Sequence, residues 1–227
     1  MTHNSPLLII IINKSVDDFT QNMNKIIGIS GLAGDGKDSV CNILEKFFKK
    51  YSIHSFRRMA LADELKLDSR DALIDMFGID PVKCSRADKE KIRPFLVFYG
   101  KLLRIKSKGQ HWTNIINKKL SAFYSEKNIF CIPDVRYAEY SEDEAQWVKS
   151  HSGIIIHVKK YSVVEDFPPR RVYTTPVNRE EQENDPRIQE LADYSIEWQD
   201  SKLSNPEEDP NCIAAVEVVA KKILETI

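Results

Sequence analysis

Short apolar runs alternate with longer amphipathic segments along most of this chain. The short runs have the length of buried strands, whereas the longer segments repeat their apolar residues at helical spacing. Strands are predicted at residues 25–30, 53–61, 128–136, 153–158 and 192–198. Helices are predicted at residues 37–50, 63–77, 89–106, 112–124, 139–150 and 213–227. This alternation predicts an α/β fold with a doubly wound parallel sheet, helices on both faces and ligands at the carboxyl ends of the strands.

Three segments stand outside the alternation. Residues 1–22 are predicted to be an N-terminal extension, either disordered or an extra strand at the apolar run 7–12, ahead of a domain at 23–227. The helices at about 63–126 form a long insertion between the second and third strands, which suits a subdomain that binds a second substrate. Residues 161–187 are polar, rich in Pro and Arg and without clear periodicity, and we predict a short lid there.

The most specific motif is a glycine-rich stretch between the first predicted strand and the first predicted helix. It is Gly-Leu-Ala-Gly-Asp-Gly-Lys-Asp, one residue away from the phosphate-binding loop G-x-x-x-x-G-K-[ST]. In that loop, backbone N–H groups and the positive end of the helix bind phosphate, and the lysine reaches the β- and γ-phosphates. We therefore predict that phosphate binds here. The predicted ligands in the loop are Gly31, Gly34, Asp35, Gly36, Lys37, Asp38 and Ser39.

Asp38 is the departure from the motif, because a Ser or Thr hydroxyl normally touches Mg²⁺ at that position. A carboxylate is also a hard oxygen ligand, so it could bind the ion directly or through a water. Without a metal in between, it would repel phosphate. The hydroxyl of Ser39 is the second candidate.

Composition and charge narrow the remaining possibilities. The 227 residues suffice for one well-buried α/β domain, and 30% charged residues with a net charge of −1 give no electrostatic argument for binding nucleic acid or a membrane. The apolar run at 7–12 is too short to span a bilayer. Four cysteines without a C-x-x-C motif indicate free thiols in a reducing compartment, and the histidines show no metal-binding cluster.

Two carboxylates follow predicted core strands at the ligand edge of the sheet. Asp134 ends an apolar strand, where P-loop enzymes hold Mg²⁺ through water or orient a nucleophile, so it joins Asp38 and Ser39 as a predicted metal ligand. The alternatives for Asp134 are a helix cap or a salt bridge to Arg136. Asp63 follows the second strand and is predicted either to cap the next helix or to take part in the site.

Forked arginine side chains match the charge of a transferring phosphoryl group. Five arginines fall near predicted ligand-side loops or on helices that face them: Arg93, Arg104, Arg136, Arg170 and Arg171. Arg136 is the strongest candidate, because it lies two residues after Asp134 at a strand end. Trp112 is either a core residue or a flat wall against a nucleobase.

A series of motifs resembles the phage-type deoxynucleoside monophosphate kinases, which use ATP to phosphorylate dNMPs. The series is Gly-Lys-Asp at 36–38, Leu-Ala-Asp-Glu-Leu-Lys at 61–66, Tyr-Gly at 99–100, Asp-Val-Arg at 134–136 and Asp-Tyr-Ser-Ile at 193–196, and it spans residues 25–198. The resemblance implies a P-loop kinase fold with a helical acceptor-binding insertion, and ATP with Mg²⁺ as cofactors. It implies that Lys37 and the loop hold ATP and that Lys37, Asp134 and Arg136 serve the transfer. Arg170 and Arg171, in the predicted lid, are two further predicted ATP ligands. The implied acceptor ligands are Asp63, Lys66, Arg93, Arg104, Trp112 and Arg136.

Two other readings stay open. Phosphomevalonate kinases of the animal type share a Gly-Lys-Asp loop and an Asp-x-Arg segment, but they need no base-stacking wall, so Trp112 favours a nucleotide. A P-loop hydrolase or a regulatory nucleotide-binding module would need a water-positioning residue in place of an acceptor pocket. The expected partners are small-molecule nucleotides, with neither nucleic acid nor membrane. We expect a monomer or homodimer in the cytoplasm, which is the host cytoplasm if the protein is viral.

Overall fold

The computed structural model describes residues 24–123, 126–165, 167–201, 203 and 205–227. The predicted extension at 1–22, with its apolar run, lies outside the described residues. The described strands are β1 (Asn24–Ser30), β2 (Ser55–Arg58), β3 (Asn128–Ile132), β4 (Ile154–Val164), β5 (Arg170–Tyr173) and β6 (Tyr194–Gln199). The described α-helices are α1 (Lys37–Tyr51), α2 (Leu61–Asp68), α3 (Arg70–Phe77), α4 (Arg86–Lys106), α5 (Gln110–Leu120), α6 (Glu144–Ser150), α7 (Arg179–Leu191) and α8 (Pro210–Leu224). None of these helices is long and apolar enough to cross a bilayer.

The strands form one mostly parallel sheet in the order β2-β3-β1-β4-β5, with β6 also paired to β4. Only β5 runs antiparallel among the described pairs, where it folds back on the end of β4. The chain leaves β1 through α1 towards β2, whereas it leaves β3 through α6 towards β4, on the opposite face. Such a reversal opens a crevice between the carboxyl ends of the two strands, here β1 and β3.

Helices cover both faces of the sheet, which confirms the predicted α/β class. On one face α1 and α8 pack on the sheet through side chains that include Leu44, Phe48 and Val216. On the other face α2, α5, α6 and α7 enclose a second cluster that includes Ile116 and Ile188. All four cysteines are free, as predicted, with Cys84 half-buried and the others buried.

The helical insertion differs in detail from the prediction. The predicted helix at 63–77 is two helices, because the chain breaks at Ser69, whose hydroxyl donates to the Leu65 carbonyl oxygen at 2.7 Å. Asp63 is not its cap, since α2 already begins at Leu61. Helix α4 begins earlier than predicted because Ser85 caps it, and it continues through Pro94.

The region without periodicity contains ordered structure. Residues 161–187 include the end of β4, the strand β5 and most of α7. Helix α7 has no apolar repeat because Ile188 is its only buried apolar residue, among the described residues. A local signal was nevertheless present: the Asn178 side chain accepts the Glu181 N–H at 2.8 Å, an N-cap three residues ahead of an acid.

Candidate functional site

The glycine-rich loop lies between β1 and α1, at the carboxyl edge of the sheet. Gly31 and Gly36 have φ angles of 136° and 88°, which an L side chain rarely adopts. A Cβ atom on Gly31 would lie 2.4 Å from the Val158 carbonyl oxygen, and one on Gly36 would lie 3.2 Å from the Trp198 ring. The loop is therefore held tightly against β4 and β6, in a shape that depends on glycine.

Asp35, a predicted ATP ligand, turns its side chain into the protein. Its carboxylate accepts the Leu32 N–H at 2.9 Å and the Lys160 N–H at 3.4 Å. The backbone carbonyl oxygen of Asp35 accepts a hydrogen bond from Trp198 Nε1 at 3.0 Å. Burial raises the pKa of this carboxyl, and its hydrogen bonds partly oppose the rise. Its backbone N–H donates to the Leu32 carbonyl oxygen at 3.2 Å. Asp35 thus shapes the loop, and its side chain and backbone are both engaged within the protein.

The first turn of α1 presents backbone donors to the crevice. Gly36 is the N-cap residue, and no side chain caps the turn. Orphan N–H groups at a helix start, together with the positive end of the helix dipole, attract anions. One anion already lies on the loop: the Glu181 carboxylate of α7 accepts the Ala33 N–H at 3.2 Å and the Val177 N–H at 3.1 Å.

Lys37 is folded back over this loop. Its Nζ donates to the carbonyl oxygens of Gly31 at 2.7 Å and Leu32 at 2.8 Å, and only 9% of the residue is exposed. Burial lowers the pKa of the amine and the charge of Arg136 lowers it further, while Asp35 and Glu181 oppose this. Lys37 and Arg136 are therefore two cations that act on each other across the crevice.

Arg136 presents its guanidinium at the surface. Within the described part of the chain this group makes no hydrogen bond or ion pair, although its charge acts on Lys37 and Asp134. Its backbone is fixed, because the buried Glu144 carboxylate accepts the N–H groups of Arg136 at 2.6 Å and Tyr137 at 3.2 Å. An arginine with an anchored backbone and an unpaired head can bind an anion without breaking a contact.

Glu144 was not anticipated from the sequence. Burial raises its pKa to about 8, with the carboxylates of Asp143 and Asp134 adding to the rise and Arg136 opposing it. Its position at the start of α6, eight residues after Arg136, is an ordinary one for an acid, so the sequence carried no signal of this role.

Asp134 caps a helix, one of its two predicted alternatives. Its two carboxylate oxygens accept the N–H groups of Leu61 at 2.9 Å and Ala62 at 2.7 Å, at the start of α2. Burial raises its pKa, and these hydrogen bonds together with the charges of Arg136 and Arg58 oppose the rise. Asp134 forms no salt bridge with Arg136, so its carboxylate joins the end of β3 to the start of α2.

Asp38 and Asp63 share an arginine that the sequence analysis missed. Arg58, the last residue of β2, contacts Asp38 at 3.1 Å and Asp63 at 2.7 Å, and Lys66 also contacts Asp63 at 2.7 Å. Burial lowers the pKa of Arg58, but the hydrogen bonds and charges of Asp63 and Asp38 together outweigh burial and raise it above its ordinary value. Asp63 and Lys66 therefore pair with each other at the edge of the crevice, and Arg58 joins them to the loop.

Few side chains of the described residues near the loop are free to bind a metal ion. No group of three or more His, Cys, Asp or Glu in the described residues could hold a metal. Mg²⁺ needs less, since it is commonly held by one or two carboxylates together with substrate phosphates. The Asp38 side chain is 78% exposed, and the Ser39 hydroxyl has no partner among the described residues. These two oxygens fit a metal that is shared with a bound phosphate, whereas those of Asp134 already accept backbone N–H groups.

Two of the predicted acceptor ligands are internal. Trp112 is 5% exposed, packs in the second core cluster and donates from Nε1 to the Gly100 carbonyl oxygen at 3.4 Å, so it cannot be a wall against a base. Arg104 is also buried, and it donates to Asp143 at 2.6 Å and 3.1 Å and to Glu139 at 2.9 Å. Through Nε and Nη2 its guanidinium holds α4 against the turn that precedes α6, so two of its three nitrogens serve the fold. Arg104 also lines the second cavity described below.

The other predicted arginines lie on the surface. Arg93 contacts Glu90 of its own helix at 3.5 Å, and it has no contact with the loop. Arg170 and Arg171 lie exposed on β5, where Arg171 contacts Glu197 at 3.3 Å and covers the Tyr161 ring at 4.5 Å. The structure therefore brings Lys37, Asp38, Asp63, Asp134 and Arg136 together, and it leaves these three arginines outside that group.

Two cavities flank α7. One of about 290 Å³ lies between the loop, the β4–β5 hairpin and α7, and Asp35, His157 and Thr174 line it. The other, of about 210 Å³, lies between α4, the turn after β3 and α7. Adjacent α7 residues reach both sides, since Glu180 contacts Lys101 of α4 at 2.7 Å while Glu181 contacts the loop.

The second cavity has an aromatic wall. Tyr137 and Tyr140 line it, and the Arg104 guanidinium lies 3.9 Å and 4.9 Å from their ring centroids. The Tyr137 hydroxyl lies within the electrostatic reach of Arg136 and Glu180. Arg136 directly precedes Tyr137 in the chain, so this cavity lies next to the turn that carries Arg136. No protein-family model and no curated protein matches the chain.

Proposed function

We propose that this protein is a P-loop kinase that transfers the γ-phosphoryl group of ATP to a deoxynucleoside monophosphate. One observation carries the proposal: an uncapped helix start after a glycine loop lies beside two cations, Lys37 and Arg136. Among the described residues, neither has a carboxylate within hydrogen-bond distance. Cations left without a counter-ion at a ring of backbone donors form a site for a polyanion.

Phosphoryl transfer asks the protein to position the reactants and to neutralise charge, with little covalent chemistry of its own. In this proposal the loop and Lys37 hold the ATP phosphates, and Arg136 faces the oxygens of the group in transfer. Asp134 and Glu144 fix the turn that carries Arg136, through α2 and through the backbone N–H of Arg136 itself. A bound Mg²⁺, held by Asp38 and Ser39, would neutralise charge on the phosphates.

The cavity between α4 and α7 is the proposed site of the acceptor. Its Tyr137 and Tyr140 rings provide the aromatic surface that Trp112 does not, and aromatic faces bind nucleobases by stacking. Lys101 and Arg179 also line it, each paired with an acid of α7, so it is not strongly basic. A base in this cavity would place its phosphate towards Arg136.

A small-molecule kinase of the phosphomevalonate type remains the second candidate. The argument against it from sequence was Trp112, and that residue is in the core. The phosphate end of the site serves either acceptor equally well, so the nature of the acceptor rests on the cavity alone.

A coupled assay of ADP release distinguishes these candidates. It is run with ATP and Mg²⁺ against each common dNMP, each common NMP and phosphomevalonate, with the Lys37→Ala protein as the blank. We expect release that depends on one or more dNMPs. Release with phosphomevalonate alone would favour the second candidate, and release that is independent of every acceptor would indicate a hydrolase.

A further inference from the structure

Arg58 lies where the sheet presents its phosphate site, yet no motif in the sequence includes it. It is the last residue of β2, and the next residue, Met59, still donates its N–H to the Cys131 carbonyl oxygen of β3 at 2.8 Å. The guanidinium therefore emerges at the carboxyl edge of the sheet. Its charge acts on Asp134, and it contacts Asp38 and Asp63 directly.

The contact with Asp38 addresses a conflict within the loop. A negative side chain in the first turn of α1 is favourable to the helix itself, but it lies beside the N–H groups that are proposed to bind phosphate. Asp38 has no other ion-pair partner in the described residues, and its side chain is 78% exposed. Without Arg58, the Asp38 carboxylate would lie beside an incoming phosphate with no ion-pair partner among the described residues, and only the more distant charge of Lys37 would oppose it.

We infer that Arg58 is a positioning residue that neutralises Asp38, so that the loop accepts phosphate before a metal is bound. This inference rests on the proposed function, because it concerns the same site. Arg58 holds Asp38 through one nitrogen and Asp63 through another, and Lys66 supplies a second cation to Asp63 alone. Asp38 is thus the carboxylate that depends on Arg58. Once Mg²⁺ contacts Asp38, the arginine is no longer needed for this purpose.

The test measures ATP binding to the full chain by calorimetry, once with EDTA and once with Mg²⁺. For Arg58→Gln we expect metal-free affinity to fall about fivefold to tenfold, and affinity with Mg²⁺ to change by less than about twofold, since a unit charge near a helix start contributes about 1 kcal/mol. The matched control is Arg57→Gln on the same strand, because Arg57 contacts Glu126 and Asn128 instead. For Arg57→Gln, the ratio of ATP affinity with Mg²⁺ to ATP affinity with EDTA should equal that of the wild type.

A double variant separates neutralisation of Asp38 from a simple change in net charge. Arg58→Gln with Asp38→Asn restores the wild-type net charge and removes the unopposed carboxylate, so metal-free affinity should recover. The control double variant combines Arg58→Gln with Asp75→Asn. Asp75 lies on α3, away from the site, so this variant also restores the wild-type net charge, but its metal-free affinity for ATP should not recover. Recovery in both, or in neither, overturns the inference.

Two further outcomes are decisive. An equal loss of affinity with and without Mg²⁺ in Arg58→Gln would show a general structural role and overturn the inference while leaving the proposed function intact. A wild-type protein that binds no ATP under either condition would overturn both the inference and the proposed function.

If Arg58→Gln does not fold, Arg58→Lys replaces it, because lysine keeps the charge but cannot contact both carboxylates through a fork. In Arg58→Lys the ratio of ATP affinity with Mg²⁺ to ATP affinity with EDTA should rise above the wild-type value, but less than expected for Arg58→Gln. A ratio equal to that of the wild type counts against the inference.

Discussion

Two arginines that lie close to the turn after β3 differ in what their charges contact. Arg104 is buried and donates from Nε and Nη2 to Asp143 and Glu139, so its charge joins α4 to that turn. Arg136 has a fixed backbone and a guanidinium with no partner in the described residues. The first arrangement stabilises a fold, and the second leaves a charge for a ligand. The same contrast separates Lys119, held by Glu64 at 2.6 Å, from Lys37, whose amine contacts two carbonyl oxygens and no carboxylate in the described part of the chain.

The largest expected effect is that of Lys37→Ala. In the proposed function Lys37 is the cation that holds the ATP phosphates, so its removal should lower kcat/KM by at least about a hundredfold, as loss of one preorganised electrostatic group does in other enzymes. Circular dichroism should show an unchanged fold. Lys46→Ala is the matched control on the same helix, since its amine contacts Glu207 at the surface. Near wild-type activity in Lys37→Ala would contradict the assignment of the loop.

Arg136→Gln should lower kcat/KM by about a hundredfold. Its free energy of unfolding should change by less than about 0.5 kcal/mol, because no contact of the guanidinium is lost. The comparison with Arg104 would fail if this variant lost stability rather than activity. Denaturant unfolding and the coupled assay, run on the same preparation, measure both quantities.

Arg104→Gln, unlike Arg136→Gln, should lower the free energy of unfolding. Breaking a buried ion pair leaves the Asp143 carboxylate without its charged partner, which costs about 3 kcal/mol or more of unfolding free energy. The matched surface variant is Arg93→Gln, whose ion pair with Glu90 contributes roughly 0–1 kcal/mol. Equal melting temperatures for the two variants would show that Arg104 is not a structural residue.

Glu144→Gln tests the turn that carries Arg136 through its pH dependence. The pKa of Glu144 is raised to about 8 in the folded protein, so between its ordinary value of 4.5 and about 8 the folded state binds the additional proton. Stability from this group is therefore present at low pH and lost as pH rises through that window. The amide of Gln still accepts the Arg136 N–H but does not titrate. We expect a flatter profile of unfolding free energy between about pH 5 and 8, and an unchanged slope would contradict the role of Glu144.

The smallest expected effect is that of Glu181→Gln. The wild-type carboxylate lies on the Ala33 N–H and its charge opposes the lowering of the Lys37 pKa, so it competes with phosphate for both groups. Its removal should tighten metal-free ATP binding by roughly twofold to fivefold, which corresponds to less than about 1 kcal/mol. Glu183→Gln is the control on the same helix, because Glu183 pairs with Arg179 at the surface. Weaker binding in Glu181→Gln would show that the carboxylate supports the loop instead.

Local patterns predicted the central part of the site. The β1–loop–α1 unit followed from the spacing of the glycines and from the apolar residues around them, because its geometry depends on neighbours in sequence. The end of β3 followed in the same way, with Asp134 and Arg136 placed at the crevice. The capping role of Asp134 was one of two alternatives, and only the position of α2 decided between them.

Residues whose partners lie far along the chain could not be predicted. Arg104 lies 39 positions before Asp143, and no pattern in either segment indicates their pairing. Trp112 has the same sequence context whether its ring faces the core or a ligand, and the packing of α5 decided in favour of the core. Arg58 was missed because its contact with Asp38 depends on the pairing of β2 with β3, which brings the end of β2 to the loop. Neither sequence segment indicates that pairing.

The position of α7 has a mechanical consequence. Two consecutive glutamates on this helix contact opposite sides of the crevice, Glu180 at Lys101 of α4 and Glu181 at the loop. A helix moves as a stiff body, so a rotation that lifts Glu181 off the loop also shifts the ion pair with Lys101. In the proposed function, a phosphate that displaced Glu181 from the loop would therefore also alter the ion pair at the cavity between α4 and α7.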